Sequence, residues 1–161
     1  MPETVAVHDA ALAAFGADEP DGHPVALRVD GSGALWTRQV QIATELTLAV
    51  SAARTAELTT STVTNTLYKG VIVVLDWTSE TDTVTLTPRI EGYSTLGDDW
   101  YVMLQGAALT AVGVTVLRVY PGAVASANLI ADDWLPPSWR VVVAVGDADS
   151  ATYSINAILL P

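Results

Sequence analysis

Apolar and polar residues alternate with a period of two along most of this chain, the pattern of half-buried strands. In "ELTLAVS", Leu46, Leu48 and Val50 fall on one face. In "DTVTLTPRIEG", Val84, Leu86, Pro88 and Ile90 face one way, and Thr83, Thr85, Thr87 and Arg89 the other. The proline inside that run predicts an edge strand or a bulge, because it offers a neighbour no N–H. "GVIVVLDW" breaks the alternation. It is apolar at successive positions, which predicts a central strand buried on both faces. "WYVMLQG" pairs back after the turn "STLGDD", and "VTVLRVYPG" is a further strand ended by Pro121 and Gly122.

The remaining segments complete an all-β pattern. The Thr/Ser run of "TAELTTSTVTNT" predicts an exposed loop or edge strand. "AVASANLIADDWLPPS", residues 123–138, is the longest irregular stretch, held extended at Pro136-Pro137. "WRVVVAVG" and "ATYSINAILL" are the last two strands. Trp139, Val141, Val143 and Val145 alternate into "GDADS", and Ala151, Tyr153, Ile155, Ala157 and Leu159 alternate out of it, which predicts a closing hairpin. Turns recurring roughly every ten residues predict an all-β antiparallel sandwich over 42–161, of jelly-roll or Ig-like topology. Ahead of it, "PVALRVDGSGALWTRQV" predicts a β-hairpin over 24–41. Residues 1–23 are expected to form an N-terminal arm, in which Ala and Leu would support a short helix over 8–15 ended by Gly16. Such an arm orders on a neighbouring subunit or stays disordered.

Composition narrows the function classes. Cysteine is absent, which removes thiol nucleophiles, disulfides and cysteine-based zinc sites, and suits a reducing cytoplasm. Eighteen acidic residues against seven basic ones give a net charge of −11, a balance that repels nucleic acid and anionic membrane. The N-terminus has no basic region before an apolar stretch, so no targeting signal is expected. No apolar run approaches the roughly 18 residues of a membrane span. With only 16% charged residues, the chain is expected to bury apolar surface in an assembly.

Candidate chemistry is sparse. His8 and His23 both lie in the arm, and there is no nucleophile elbow, P-loop, Rossmann or metalloprotease motif. Asp98, Asp99, Asp132 and Asp133 fall in predicted turns, where carboxylates cap backbone N–H groups. "GDADS" looks like the opening of an oxygen-ligand calcium loop. Thr152 and Ile158, however, stand where such a loop needs its glycine and its bidentate glutamate. No catalytic residue, metal ligand or cofactor site is therefore expected. Trp77, Trp100 and Trp139 are expected to plug the ends of the core. The candidate interface residues are Trp134 on the long loop, Trp36 on the hairpin and Phe15 on the arm.

Four stretches carry a resemblance to a known class. "SAARTAELTTSTVTNTLYKGVIVVLDWTS", "TLTPRIEGYSTLGDDWYVML", "LRVYPGAVASAN" and "LPPSWRVVVAVGDADSATYSINAILL" resemble segments of structural proteins of tailed bacteriophages. The similarity covers about residues 46–161, with "PVALRVDGSGALW" matching more loosely, and is sharpest in the last stretch. It implies a non-enzymatic β-rich virion protein, most like a capsid decoration (cement) protein. Such a protein is made in the host bacterial cytoplasm and placed on the capsid surface. Its implied partners are the major capsid protein and further copies of itself, as a homotrimer. The alternative is a tail, collar or baseplate component that binds a host glycan or receptor. The resemblance carries no catalytic residue to any position.

Overall fold

A computed structural model describes residues 28–29, 35–36 and 42–161. The chain divides into two units, Met1–Val40 and Gln41–Pro161. In the first, β1 (Arg28–Val29) pairs antiparallel with β2 (Leu35–Trp36), Arg28 opposite Trp36. The arm, its helix over 8–15 and Phe15 lie outside the described residues, as does the side chain of Trp36.

The second unit is built from strands alone. In chain order they are β3 (Thr44–Arg54), β4 (Leu58–Thr59), β5 (Val63–Thr64), β6 (Gly70–Glu80), β7 (Leu86–Ser94) and β8 (Asp99–Gln105). β9 (Gly113–Val119), β10 (Ile130–Ala131), β11 (Ser138–Val145) and β12 (Ala151–Leu160) follow. They form two sheets, ordered β10-β9-β6-β12-β3 and β4-β11-β7-β8, with β5 also on β11. All pairings are antiparallel except that of the short β10 with β9.

The pairings nest. β7 pairs with β8, β6 with β9, β4 and β5 with β11, and β3 with β12. The chain thus behaves as one long hairpin folded at the β7–β8 turn and wound across two layers. This is jelly-roll topology, two Greek keys sharing one core. "GDADS" is accordingly not a hairpin turn. β11 and β12 lie in different sheets, so the loop crosses from one layer to the other. Alternation of apolar residues is the same for a strand that pairs with its predecessor and for one that stacks across the core from it. The pattern therefore did not separate the two cases.

The core lies between the sheets. Val71, Val73, Leu75 and Trp77 of β6 and Tyr153, Ile155 and Ala157 of β12 meet Leu86 and Ile90 of β7 and Trp139, Val141 and Val143 of β11. Each large aliphatic or aromatic side chain so buried contributes roughly 1.5–3 kcal/mol. Trp77 and Trp139 are fully buried. Trp100 is not part of this core. It lies on the outer face of the second sheet, with the Arg140 guanidinium 3.9 Å from its ring centroid.

Three strand expectations are corrected by register. β6 is central, but only one of its faces is sealed. Val71, Val73, Leu75 and Trp77 are buried, while Ile72 and Val74 on the other face are only partly buried. Val50 points outward because β3 carries one extra residue against β12 between the pairs Thr47–Asn156 and Ala49–Ile155, and a second extra residue follows between Ala49–Ile155 and Ala52–Tyr153. A bulge of this kind reverses the phase of the side chains. Arg54 closes the second of the two, donating to the Val50 and Ala52 carbonyls at 2.8 and 2.9 Å and to the Tyr153 carbonyl at 2.6 Å. Pro88 stands in an inner strand, not at an edge. Leu86 exchanges both backbone bonds with Leu109, and the Pro88 carbonyl accepts from Gly106. The missing donor of Pro88 therefore faces residues 107–108, where the pairing with β8 has already ended.

Candidate functional site

The candidate carboxylates are engaged in local turns. Asp132 Oδ1 accepts the Gly122 N–H at 2.6 Å. This secures a turn in which Ala123 N–H bonds the Tyr120 carbonyl at 3.2 Å and Gly122 takes φ 79°. Pro121 followed by a glycine at positive φ is the requirement of a type II turn. Asp133 and Asp99 accept from the following residues, Trp134 and Trp100, at 2.8 and 2.7 Å. Asp98 accepts the Tyr93 hydroxyl. Asp147 accepts the Asp149 N–H at 3.0 Å, which folds "GDADS" onto itself. Ser150 then joins the β6–β7 loop, exchanging bonds with Thr81. Among the described residues no group of three or more His, Asp or Glu side chains is placed to hold a metal ion. No helix among them is long and apolar enough to cross a membrane.

The densest polar constellation lies on the outer face of the second sheet. Glu91 of β7 accepts from Arg89 Nε at 2.6 Å and from Arg140 Nε at 2.7 Å, one on each carboxylate oxygen. Arg89 also reaches Glu57 at 3.4 Å. The Glu91 side chain is only 8% exposed. Burial pushes its carboxyl up, but the hydrogen bonds and charges of the two guanidiniums outweigh this and hold it below the usual carboxylate range. An acid locked in its charged form between two cations is a poor general base. This cluster holds β7 against β11 and offers no proton to move.

A second constellation occupies the end of the sandwich near the long loop. Trp134 is 63% exposed, whereas its neighbour Leu135 is buried. The loop is stapled by Asn65, itself buried. Asn65 Nδ2 donates to the Tyr68 and Leu135 carbonyls at 2.8 and 3.1 Å, and Oδ1 accepts the Tyr68 N–H at 2.9 Å. Its own N–H donates to Pro137 O at 2.7 Å, and Leu135 N–H donates to Lys69 O at 2.8 Å. Tyr101 lies close over Gly92, beside Pro136. A Cβ at Gly92 would come within 2.8 Å of both the Tyr101 ring and Pro136 Cγ, so only glycine leaves room. Burial, and then the charge of nearby Asp133, raises the Tyr101 phenol above its ordinary value. Exposed Trp134 and Asp133 thus sit on a firmly held loop, with Asp133 near enough to Tyr101 of β8 to act on its phenol.

A further apolar surface was not expected from the sequence. On the outer face of the first sheet, Val114, Val116 and Leu129 are about half-exposed or more. With Ile72 and Ile130 they line a shallow groove around Arg118. Its signal was present in "GVIVV" and "GVTVLRV", where apolar residues occupy both phases of a strand although only one can face the core. Of the three candidate interface residues, the structure places Trp134 on the surface, and Trp36 and Phe15 stay outside the described side chains. The chain matches no protein-family model, no curated protein and no solved structure.

Proposed function

We propose that this is a non-enzymatic structural protein of a tailed-phage virion that decorates the capsid exterior. It would hold to the major capsid protein and to other copies of itself. The observation that carries the reading is the outer face of the first sheet, where a chain of low charge leaves Val114, Val116 and Leu129 uncovered. An apolar surface of this kind on a soluble sandwich marks an interaction site. The engaged carboxylates favour adhesion over catalysis, and the resemblance of residues 46–161 to phage structural proteins supplies the setting. Many weak contacts repeated over a shell add up to firm attachment through avidity. The negative charge suits a place outside a DNA-filled shell and away from the nucleic acid.

A second reading, a tail or baseplate module that grips a host glycan, is favoured by one observation. Exposed Trp134 follows Asp133 in the chain, and the Asp133 charge reaches exposed Tyr101, so two exposed aromatic residues are each linked to one carboxylate. The two are separated by mixing the full chain with undecorated capsids and imaging the particles. Regular added density on the shell is the expected result. Bare shells, together with saturable glycan binding that Trp134→Ala abolishes, would replace the first reading by the second.

A further inference from the structure

The outer face of the first sheet carries its charges in a particular order. Register places Ile130 of β10, Arg118 of β9, Ile72 of β6, Ile158 of β12 and Glu45 of β3 side by side in one row across the sheet. The next row reads Val116, Val74, Asn156 and Thr47. A cation thus stands on one flank of the row and an anion on the other, with two isoleucines between them. Three strand spacings separate Arg118 from Glu45, roughly 14 Å. That is beyond the reach of the two side chains toward each other, and neither has an ion-pair partner among the described residues.

This contrasts with the other arginines whose side chains are described. Arg54 caps carbonyls and lies over the Tyr153 ring, and Arg89 and Arg140 share Glu91. Arg118 alone among them stands without a partner, in the middle of the apolar groove. A cavity-like groove also flanks Glu45, lined by Val74, Asn156 and Ile158.

We infer that this face pairs with the same face of a second copy, about a twofold axis that runs along the strands between β6 and β12. Such an axis exchanges left and right across the row. β9 of one copy then lies over β3 of the other, and β6 over β12. Arg118 meets Glu45 of the second copy, Glu45 meets Arg118 of the second copy, and Ile72 packs on Ile158 in both directions. A twofold axis across the strands would instead lay β9 on β9 and leave Arg118 without a carboxylate. Charge complementarity therefore selects the occupant as well as the direction. Face-to-face sheets rotate by about 30° relative to each other, a displacement that a long arginine side chain absorbs. Desolvation by the surrounding isoleucines and valines strengthens both ion pairs. A face that is complementary to itself makes an isologous pair, not the ring of three that the sequence resemblance implies.

The inference rests on the self-association part of the proposed function and deepens it. Its test needs no capsid, so loss of decoration and loss of this interface are read separately. Light scattering and sedimentation on the full chain measure self-association of four forms: wild type, Arg118→Glu, Glu45→Arg and the double swap. Both positions are solvent-exposed, and an unchanged far-ultraviolet circular dichroism spectrum serves as the folding control, since melting itself shifts with association. Wild type is expected to carry an even number of chains. Each single variant, which opposes like charges twice, is expected to associate at least about tenfold more weakly. The double swap restores association, and so does an equimolar mixture of the two single variants, since each mixed pair has both ion pairs. A monomeric wild type at micromolar concentration, or a trimer indifferent to all four charges, overturns the inference. Equal weakening in the single variants and in their mixture overturns it as well.

Discussion

Glu91→Gln is expected to cost the folded chain about 3 kcal/mol at neutral pH, or roughly 10 °C of melting temperature. The substitution removes the carboxylate shared by Arg89 and Arg140 and leaves both guanidiniums facing a neutral amide, with Glu57 still near Arg89. Breaking a fully buried pair costs somewhat more. The figure is discounted because each arginine side chain is 25% exposed, and water screens part of the repulsion. The same cluster sets a pH dependence. The folded Glu91 carboxyl titrates below its ordinary value of 4.5. Its contribution is therefore fully present above about pH 4.5 and is lost as the pH falls through the lower, folded value. Chemical denaturation across pH 3–7 checks both statements. Wild type is expected to lose stability on the acid side of that range, and Glu91→Gln is expected to show a flatter profile that starts lower. Identical acid profiles for the two proteins would remove Glu91 from the account.

Asn65→Ala is expected to be comparably costly, about 3 kcal/mol, and its effect should concentrate at one end of the sandwich. The Tyr68 N–H and the Tyr68 and Leu135 carbonyls lose their partner together, in a place where water has little access. Each buried polar group left unpaired costs about 1–3 kcal/mol. Asn65→Asp sharpens the assignment. It keeps an acceptor for the Tyr68 N–H but removes the two donors and sets a carboxylate against two carbonyl oxygens, so it should be no milder than alanine. Hydrogen exchange provides the local readout. The Leu135 amide, which bonds Lys69 O, should lose protection in both variants, while amides of β7 and β11 follow the global stability. The loop bearing Trp134 would then have lost its hold, and any ligand of that aromatic surface would bind more weakly.

These two residues also show how much of the molecule could be read from the chain. Glu91 stands in "PRIEG" as one more polar position of an alternating strand. Nothing local says that Arg140, 49 positions on, arrives opposite it. Asn65 stands in a Thr/Ser/Asn run that reads as an exposed loop. Its partners Leu135 and Pro137 come from the far side of the fold. Both sites exist only because β11 inserts between β7 and the β4–β5 pair. The turns were more legible, since their chemistry is local. Pro121-Gly122, the "STLGDD" reversal and the Asx-type bond in "GDADS" each lie within a few residues of their partners.

By itself, the sequence determined that this protein is all-β, where most of its strands run, and which face of β7, β11 and β12 turns toward the core. Alternation is a property of a single strand, and burial of one face needs no knowledge of what covers it. It also determined which residues make the turns, because Pro, Gly and Asp act on the backbone beside them. Only the tertiary structure decided which strand lies next to which. Period-two alternation is identical for a hairpin and for a crossing between layers, so "GDADS" joined two sheets where one hairpin was expected. The tertiary structure also decided the fate of the second face of β6. A strand apolar on both sides must be covered twice, and the sandwich supplies one cover. The other side, with Ile72 and Val74 beside Arg118 of β9, was left at the surface.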